Sequence, residues 1–426
     1  MIAAPLARGL RRAARMACAM ALVCLAAGLA PAQETRDESR QIFHAIGEVL
    51  GELTKISGMK MRHPVPYDLI SRDKVKEFLQ KRVKEVTSPE ELRAEELTLK
   101  KFGLVPADFD LKKNTVDLLT EQAAAFYDYN KKRLYITDWT PSDTREAALV
   151  HELAHALADQ NYHLDKYIKQ GQKSDDGATA RMAVMEGQAT WLMSEYLARQ
   201  MGQSLATSPT LLEMMSRSMD PAGGQFPIFE NSPLYLRETL IFPYTKGMLF
   251  QQAVYVKDGK AAFGEVFHRP PESTQQILHV DKYFSGVKPT EPALPVPPQR
   301  KGFKDLIEGS IGELDHRILL EQYLGKEMSR EVAPHWRGGR YRLLERKSPE
   351  RVILSYVSEW DEAAAARKYF QLYRRLLAKK WKKMTVARET EDAVAGEGDD
   401  GYFLLRLEGT VVSSLEGLES PAPAVR

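Results

Sequence analysis

Thr140-Pro141-Ser142-Asp143-Thr144-Arg145-Glu146-Ala147-Ala148-Leu149-Val150-His151-Glu152-Leu153-Ala154-His155-Ala156-Leu157 is the stretch that decides how the rest of the chain is read. Thr140-Pro141-Ser142-Asp143 is a strong helix start, with polar side chains for the free N–H groups and a proline the first turn tolerates. Ala148, Leu149, Leu153, Ala156 and Leu157 recur at helical spacing and predict a buried stripe. His151 and His155 are four apart, so both imidazoles leave one face, about one turn apart. That spacing lets two ring nitrogens reach one Zn²⁺ at about 2.0–2.1 Å. Glu152 lies slightly around the helix, where its carboxylate reaches a water at the metal rather than the metal. As general base it would take that water's proton during attack on a carbonyl, then pass it to the departing amine. The competing reading is a solvated helix face with histidines paired to Glu152, and the apolar flanks on both sides argue against it.

A third ligand has to come from elsewhere. The histidine six residues on, which the metzincin spacing requires, is here Asn161, and no glycine intervenes. His163 is close in sequence but sits well round the helix from the pair. Glu186 is the better choice, set within Met182-Ala183-Val184-Met185-Glu186-Gly187-Gln188-Ala189-Thr190. An acid buried among Ala, Val and Met is costly unless paired or bound to metal. Gly187 and Ala189 predict that this helix approaches the first one closely. Asp159, four after His155, is expected either to orient a ligand imidazole or to be a solvated acid.

His-Glu-x-x-His followed about thirty residues later by a helix bearing Glu186-Gly187-Gln188-Ala189 resembles the gluzincin metallopeptidases. In the aminopeptidase N-type members the third ligand lies in a similar glutamate-bearing helix. Those enzymes also carry a downstream Pro-Tyr-x-Lys-Gly segment whose tyrosine hydroxyl steadies the oxyanion. Pro243-Tyr244-Thr245-Lys246-Gly247 matches it, and the resemblance implies that role for Tyr244. The likeness covers mainly residues 120–260. The interval from His155 to Glu186 is longer than in the aminopeptidases. No Gly-x-Met-Glu-Asn-type segment precedes the motif, so an endopeptidase, or an unusual specificity, is expected rather than an aminopeptidase.

Working outward, Arg8, Arg11, Arg12 and Arg15 precede an apolar run from Met16 to Leu29 and the small residues Ala30-Pro31-Ala32. That is the layout of a secretory signal peptide over residues 1–32, which predicts export to a periplasmic or extracellular compartment. The apolar run is shorter than the roughly 20 residues of a spanning helix, so no stable membrane span is expected after cleavage. Both cysteines, Cys18 and Cys24, fall in this segment. The mature chain then offers no cysteine ligand or disulfide, and any metal must be held by His, Asp or Glu. The net charge of +2 is too small to indicate nucleic acid as a partner. The four lysines around Trp381 read as a solvated helix end.

Helices are expected over residues 40–53, 71–83, 88–103, 179–201, 311–324 and 361–381. Strands are expected at 65–70, 341–344, 352–356 and 402–407, with a hairpin or a bent edge strand formed by 125–127 and 134–136. Residues 104–110 and 171–177 read as connections. Pro289, Pro292, Pro295, Pro297 and Pro298 crowd a stretch typical of a linker. His279 reads as a packed or exposed histidine near a helix start. The expectation is an α+β fold: a mainly helical, gluzincin-like metallopeptidase domain over 33–295, a linker and helical connection over 296–337, a small α+β accessory module over 338–419 and a disordered tail over 420–426. The expected function is an exported, zinc-dependent peptidase acting on peptide or protein substrates. The competing functions are a non-catalytic zinc-binding scaffold or assembly protein of the envelope, and a zinc hydrolase acting on a non-peptide bond.

Overall fold

A computed structural model of the protein describes residues 20–22, 36–139, 142–218 and 226–421. Most of the expected leader, both cysteines, Thr140-Pro141 and most of the expected tail lie outside these residues. The chain is an α+β protein, with helices filling the first two thirds and antiparallel sheet dominating the last third.

In chain order, strand β1 (Met20–Leu22) is followed by helix α1 (Arg36–Ser57), β2 (Tyr67–Ile70), α2 (Arg72–Val86), α3 (Pro89–Phe102) and α4 (Leu111–Gln122). Helix α3 begins as its sequence predicts. The Ser88 side chain accepts from the Glu91 N–H and the Glu91 carboxylate accepts from the Ser88 N–H, closing a capping box. Gly103 ends it in the left-handed conformation that glycine adopts without a Cβ penalty. Helix α4 was not anticipated, because its polar residues interrupt the apolar spacing.

Strands β3 (Ala123–Asp128) and β4 (Arg133–Thr137) form the expected antiparallel hairpin. They lie at the centre of a four-stranded sheet ordered β1-β3-β4-β2, in which β2 runs parallel to β4. Strand β1 falls within the stretch read as a leader and pairs with the free edge of β3.

Helices α5 (Ser142–Tyr162), α6 (Leu164–Gly171), α7 (Asp175–Gln200), α8 (Pro209–Ser218), α9 (Pro227–Glu230) and α10 (Leu234–Asp258) follow. Helix α5 is buried all round from Ala147 to Asp159 rather than along one stripe. Helix α7 is buried along most of its length as well, and α10 packs against it. Gly187 does not face α5, as expected, but α10. A Cβ there would stand 2.1 Å from the Gly247 carbonyl carbon, and one on Gly247 would stand 2.0 Å from the Ala183 oxygen. The two glycines let the backbones of α7 and α10 touch. No helix among the described residues is long and apolar enough to cross a membrane.

Four short helical segments, including α11 (Ala262–His268), α12 (Thr274–Leu278) and α13 (Val280–Phe284), lead into the proline-rich stretch. Beyond it come β5 (Lys304–Ser310), α14 (Glu313–Leu324), α15 (Lys326–Val332), β6 (Trp336–Lys347), β7 (Glu350–Trp360), α16 (Ala363–Lys380), β8 (Thr385–Glu389), β9 (Ala393–Gly398), β10 (Gly401–Glu408) and β11 (Val411–Leu418). The seven strands form one sheet in the order β5-β6-β7-β11-β10-β9-β8. Residues expected as a connection therefore supply its first edge strand, β5. Their alternation is too weak to stand out, since only Ile307 of the strand is fully buried.

The N-terminus of α7 is fastened to this sheet. The Asp176 N–H donates to the Ser310 hydroxyl, and the Asp176 carboxylate accepts from the N–H and hydroxyl of Thr274. The Thr274 hydroxyl in turn accepts from the Leu314 N–H at the start of α14.

Candidate metal centre

Helix α5 carries His151, Glu152 and His155 into the interior, and α7 brings Glu186 against them. The Nε2 atoms of His151 and His155 are 3.0 Å apart. The Glu186 Oε2 lies 3.1 Å from the first and 3.2 Å from the second. Both histidines and Glu186 are at most 3% exposed. Among the described residues this trio forms a group with metal-ligand geometry.

Burial holds His151 below its ordinary pKa, with repulsion from His155 adding to it. Burial opposes the charge on His155 too, but the Glu186 carboxylate, backed by Glu152 and Asp159, raises it. Burial penalises ionised Glu186, yet His155 and hydrogen bonds from both imidazoles hold it below the usual carboxylate range. The Glu186 carboxylate thus favours the charged form of His155, while burial disfavours that of His151.

These residues fit a divalent cation such as zinc. Donors about 2.0–2.1 Å from a common tetrahedral ion lie about 3.3 Å from each other, close to the separations found here. The Glu186 Oε1 is buried without any hydrogen-bond partner. An orphaned carboxylate oxygen in a dry interior is expensive, and a bound cation offsets that cost.

Glu152 is fully buried, and its Oε2 accepts from the Tyr127 N–H at 2.6 Å. Strand β3 thereby fixes the carboxylate beside the histidines. Tyr127 does a second job: its hydroxyl donates to the Asp159 Oδ2 at 2.9 Å. Asp159 also accepts from Lys132 Nζ at 2.7 Å and from the Leu164 N–H at 3.0 Å. Asp159 is therefore neither a partner of a ligand imidazole nor a solvated acid. It is a buried tie between the β3–β4 hairpin and the end of α5. Tyr127 was not singled out in the sequence, where an aromatic in a hairpin carries no sign of this double contact.

Tyr244 is buried, with its ring centroid 5.9 Å from that of His151 and the planes 31° apart. It lies in mid-helix, one residue after Pro243 inside α10. His163 is exposed, sits in the left-handed conformation between α5 and α6, and belongs to no ligand group. His279 pairs with Glu313, its Nε2 standing 2.9 Å from the Oε1. Of the lysines near Trp381, Lys380 is buried in an ion pair with Glu416, contrary to the expected solvated helix end.

A family model described as a domain of unknown function (DUF8575) matches residues 302–424. The match begins just before β5 and runs past β11, leaving His151, His155 and Glu186 outside it. No curated protein and no solved structure matches the chain.

Proposed function

We propose that the protein is an exported zinc-dependent endopeptidase of gluzincin type. The observation that carries this reading is the buried convergence of His151, His155 and Glu186 with an unpartnered Glu186 oxygen. Glu152 is set beside the group, as the His-Glu-x-x-His pattern requires of a general base. Export rests on the signal-like arrangement of residues 1–32.

His151, His155 and Glu186 would hold the zinc, which supplies Lewis acidity toward a water and a carbonyl when bound. Glu152 receives the proton released as the water oxygen attacks the peptide carbonyl, and returns it to the leaving amine. The Tyr127 N–H keeps the Glu152 carboxylate in one orientation, so little reorganisation accompanies each transfer. Tyr244, its ring tilted against that of His151, is the candidate donor to the oxygen that gains charge.

The test is cleavage of a quenched mixed-peptide library by the mature protein and by Glu152→Gln, with zinc content measured for both. The reading expects zinc in both proteins, and a fall in turnover of about a hundredfold or more for Glu152→Gln. Equal cleavage by the two zinc-loaded proteins would remove Glu152 from the mechanism.

A further inference from the structure

Between the helices that carry Glu186 and Tyr244 and their neighbours lies a cavity of about 90 Å³, several times the 10–15 Å³ that one water needs. Its walls come from α3, α4, α7, α10, α12 and α14 together. Thr179 and Met182 line it from α7, seven and four residues before Glu186. Leu236 and Leu240 line it from α10, eight and four residues before Tyr244. At helical spacing these residues share a face with the site residue they precede, and four residues rise about 6 Å. The cavity therefore begins about one turn from Glu186 and Tyr244 on both helices.

The third wall repeats the pattern. Leu118 and Leu119 line the cavity from α4, and Gln122 follows them by four and three residues on the same helix. Gln122 is only 7% exposed, yet neither its Nε2 nor its Oε1 has a hydrogen-bond partner. A buried amide left with both a free donor and a free acceptor is costly, and the complement it lacks is that of one peptide unit. An apolar chamber with such an amide one turn further along is built like a ligand pocket: mostly apolar, with a few polar groups that fix orientation.

We propose that this cavity receives a large apolar side chain of a peptide substrate, while Gln122 hydrogen-bonds the main chain of that residue. The proposal rests on the peptidase reading above and names the substrate class for it. Two carboxyl groups, Glu95 and Asp315, also border the cavity. They do not turn it into a site for a basic side chain. Asp315 already accepts from the Tyr235 hydroxyl and the Gly312 N–H, and Glu95 is engaged within the protein. What remains for a ligand is the leucine and methionine surface.

The test uses the zinc-loaded, full-length mature protein carrying Glu152→Gln, which binds without turnover. The probes are blocked hexapeptides that differ at one position, holding Ala, Phe, Lys or Glu. By calorimetry the Phe peptide should bind about tenfold or more tighter than the Lys and Glu peptides. Thr239→Phe, which adds volume at the cavity wall, should shrink the Phe-over-Ala preference to about threefold or less. Gln122→Ala should weaken all four peptides by about five- to tenfold. In the active protein the same substitution should appear mainly in KM rather than kcat. Zinc content and thermal melting establish that each variant is folded.

Tightest binding of the Lys peptide, or no binding of any peptide, would overturn the proposal. So would an unchanged Phe-over-Ala ratio in folded Thr239→Phe, or unchanged affinities in Gln122→Ala. Tight, Phe-selective binding combined with no cleavage by the zinc-loaded active protein would instead contradict the peptidase reading and leave the pocket standing.

Discussion

Two buried polar clusters in this molecule each contain histidine and glutamate and differ in what they leave open. In the C-terminal sheet region His316 is fully buried beneath Tyr356 and Tyr369. Its Nδ1 donates to the Gly312 carbonyl at 2.7 Å, so its Nε2 accepts from the Tyr356 hydroxyl, also at 2.7 Å. Tyr356 has then spent its proton, and Tyr369 must donate to it. Nearby, Glu416 accepts from Tyr373, Ser414 and Lys380, which fills both its oxygens. Every polar atom in this network has a partner. Around His151 and His155, by contrast, three ligand-type atoms crowd within 3.2 Å of one another and Glu186 keeps an orphaned oxygen. Closed networks specify a core, whereas an open convergent one marks a place for something the protein binds.

The largest effect that would sharpen this contrast comes from Glu416→Ala. It strands the buried Lys380 ammonium and the Tyr373 hydroxyl, and should cost about 4 kcal/mol in denaturant unfolding. The folded fraction should keep its full metal content, since none of these residues belongs to the ligand group. Loss of metal from folded Glu416→Ala would break the division between the two clusters.

Next in size is a pH effect. Burial lowers the His316 pKa from its ordinary 6.5 to about 4. The unfolded chain therefore binds a proton at this site between pH 6.5 and pH 4 that the folded chain does not. Stability from this group is complete above pH 6.5 and falls by about 3 kcal/mol as the pH drops to 4. Unfolding titrations should show His316→Asn, which carries no titrating ring, with a correspondingly flatter slope over that window.

The smallest is Gly247→Ala. The new Cβ meets the Ala183 carbonyl at 2.0 Å, while alanine's better helix propensity returns about 1 kcal/mol. A net loss of about 2 kcal/mol is expected, together with weaker metal binding, because α7 must shift and carry Glu186 with it. A folded Gly247→Ala with unaltered metal affinity would show that Glu186 tolerates displacement of its helix.

What the sequence made legible follows how local each signal is. His151, Glu152 and His155 sit within five residues of one helix, and Glu186 announces itself as an acid in an apolar run, so the group is legible from the sequence. The Ser88 capping box and the β3–β4 hairpin are equally local. The facing of Gly187 was misread, because a small residue says that something approaches and not which helix does. Tyr127 and Gln122 act through partners or vacancies set by tertiary packing that no spacing rule reaches, and the spacing that singled out Asp159 did not give its partners. Strands β5, β8 and β11 escaped because strand alternation is weak in them: β8 is exposed at every position, and the last five residues of β11 are all buried.

The central claim is that His151, His155 and Glu186 form a metal centre. It is tested most directly by elemental analysis of the purified mature protein beside Glu186→Gln, with both shown to be folded. The account expects about one zinc per chain in the first, and affinity lower by about a hundredfold or more in the second. A folded, wild-type protein that takes up no zinc at micromolar concentrations, or a Glu186→Gln protein that binds it equally well, would contradict the account.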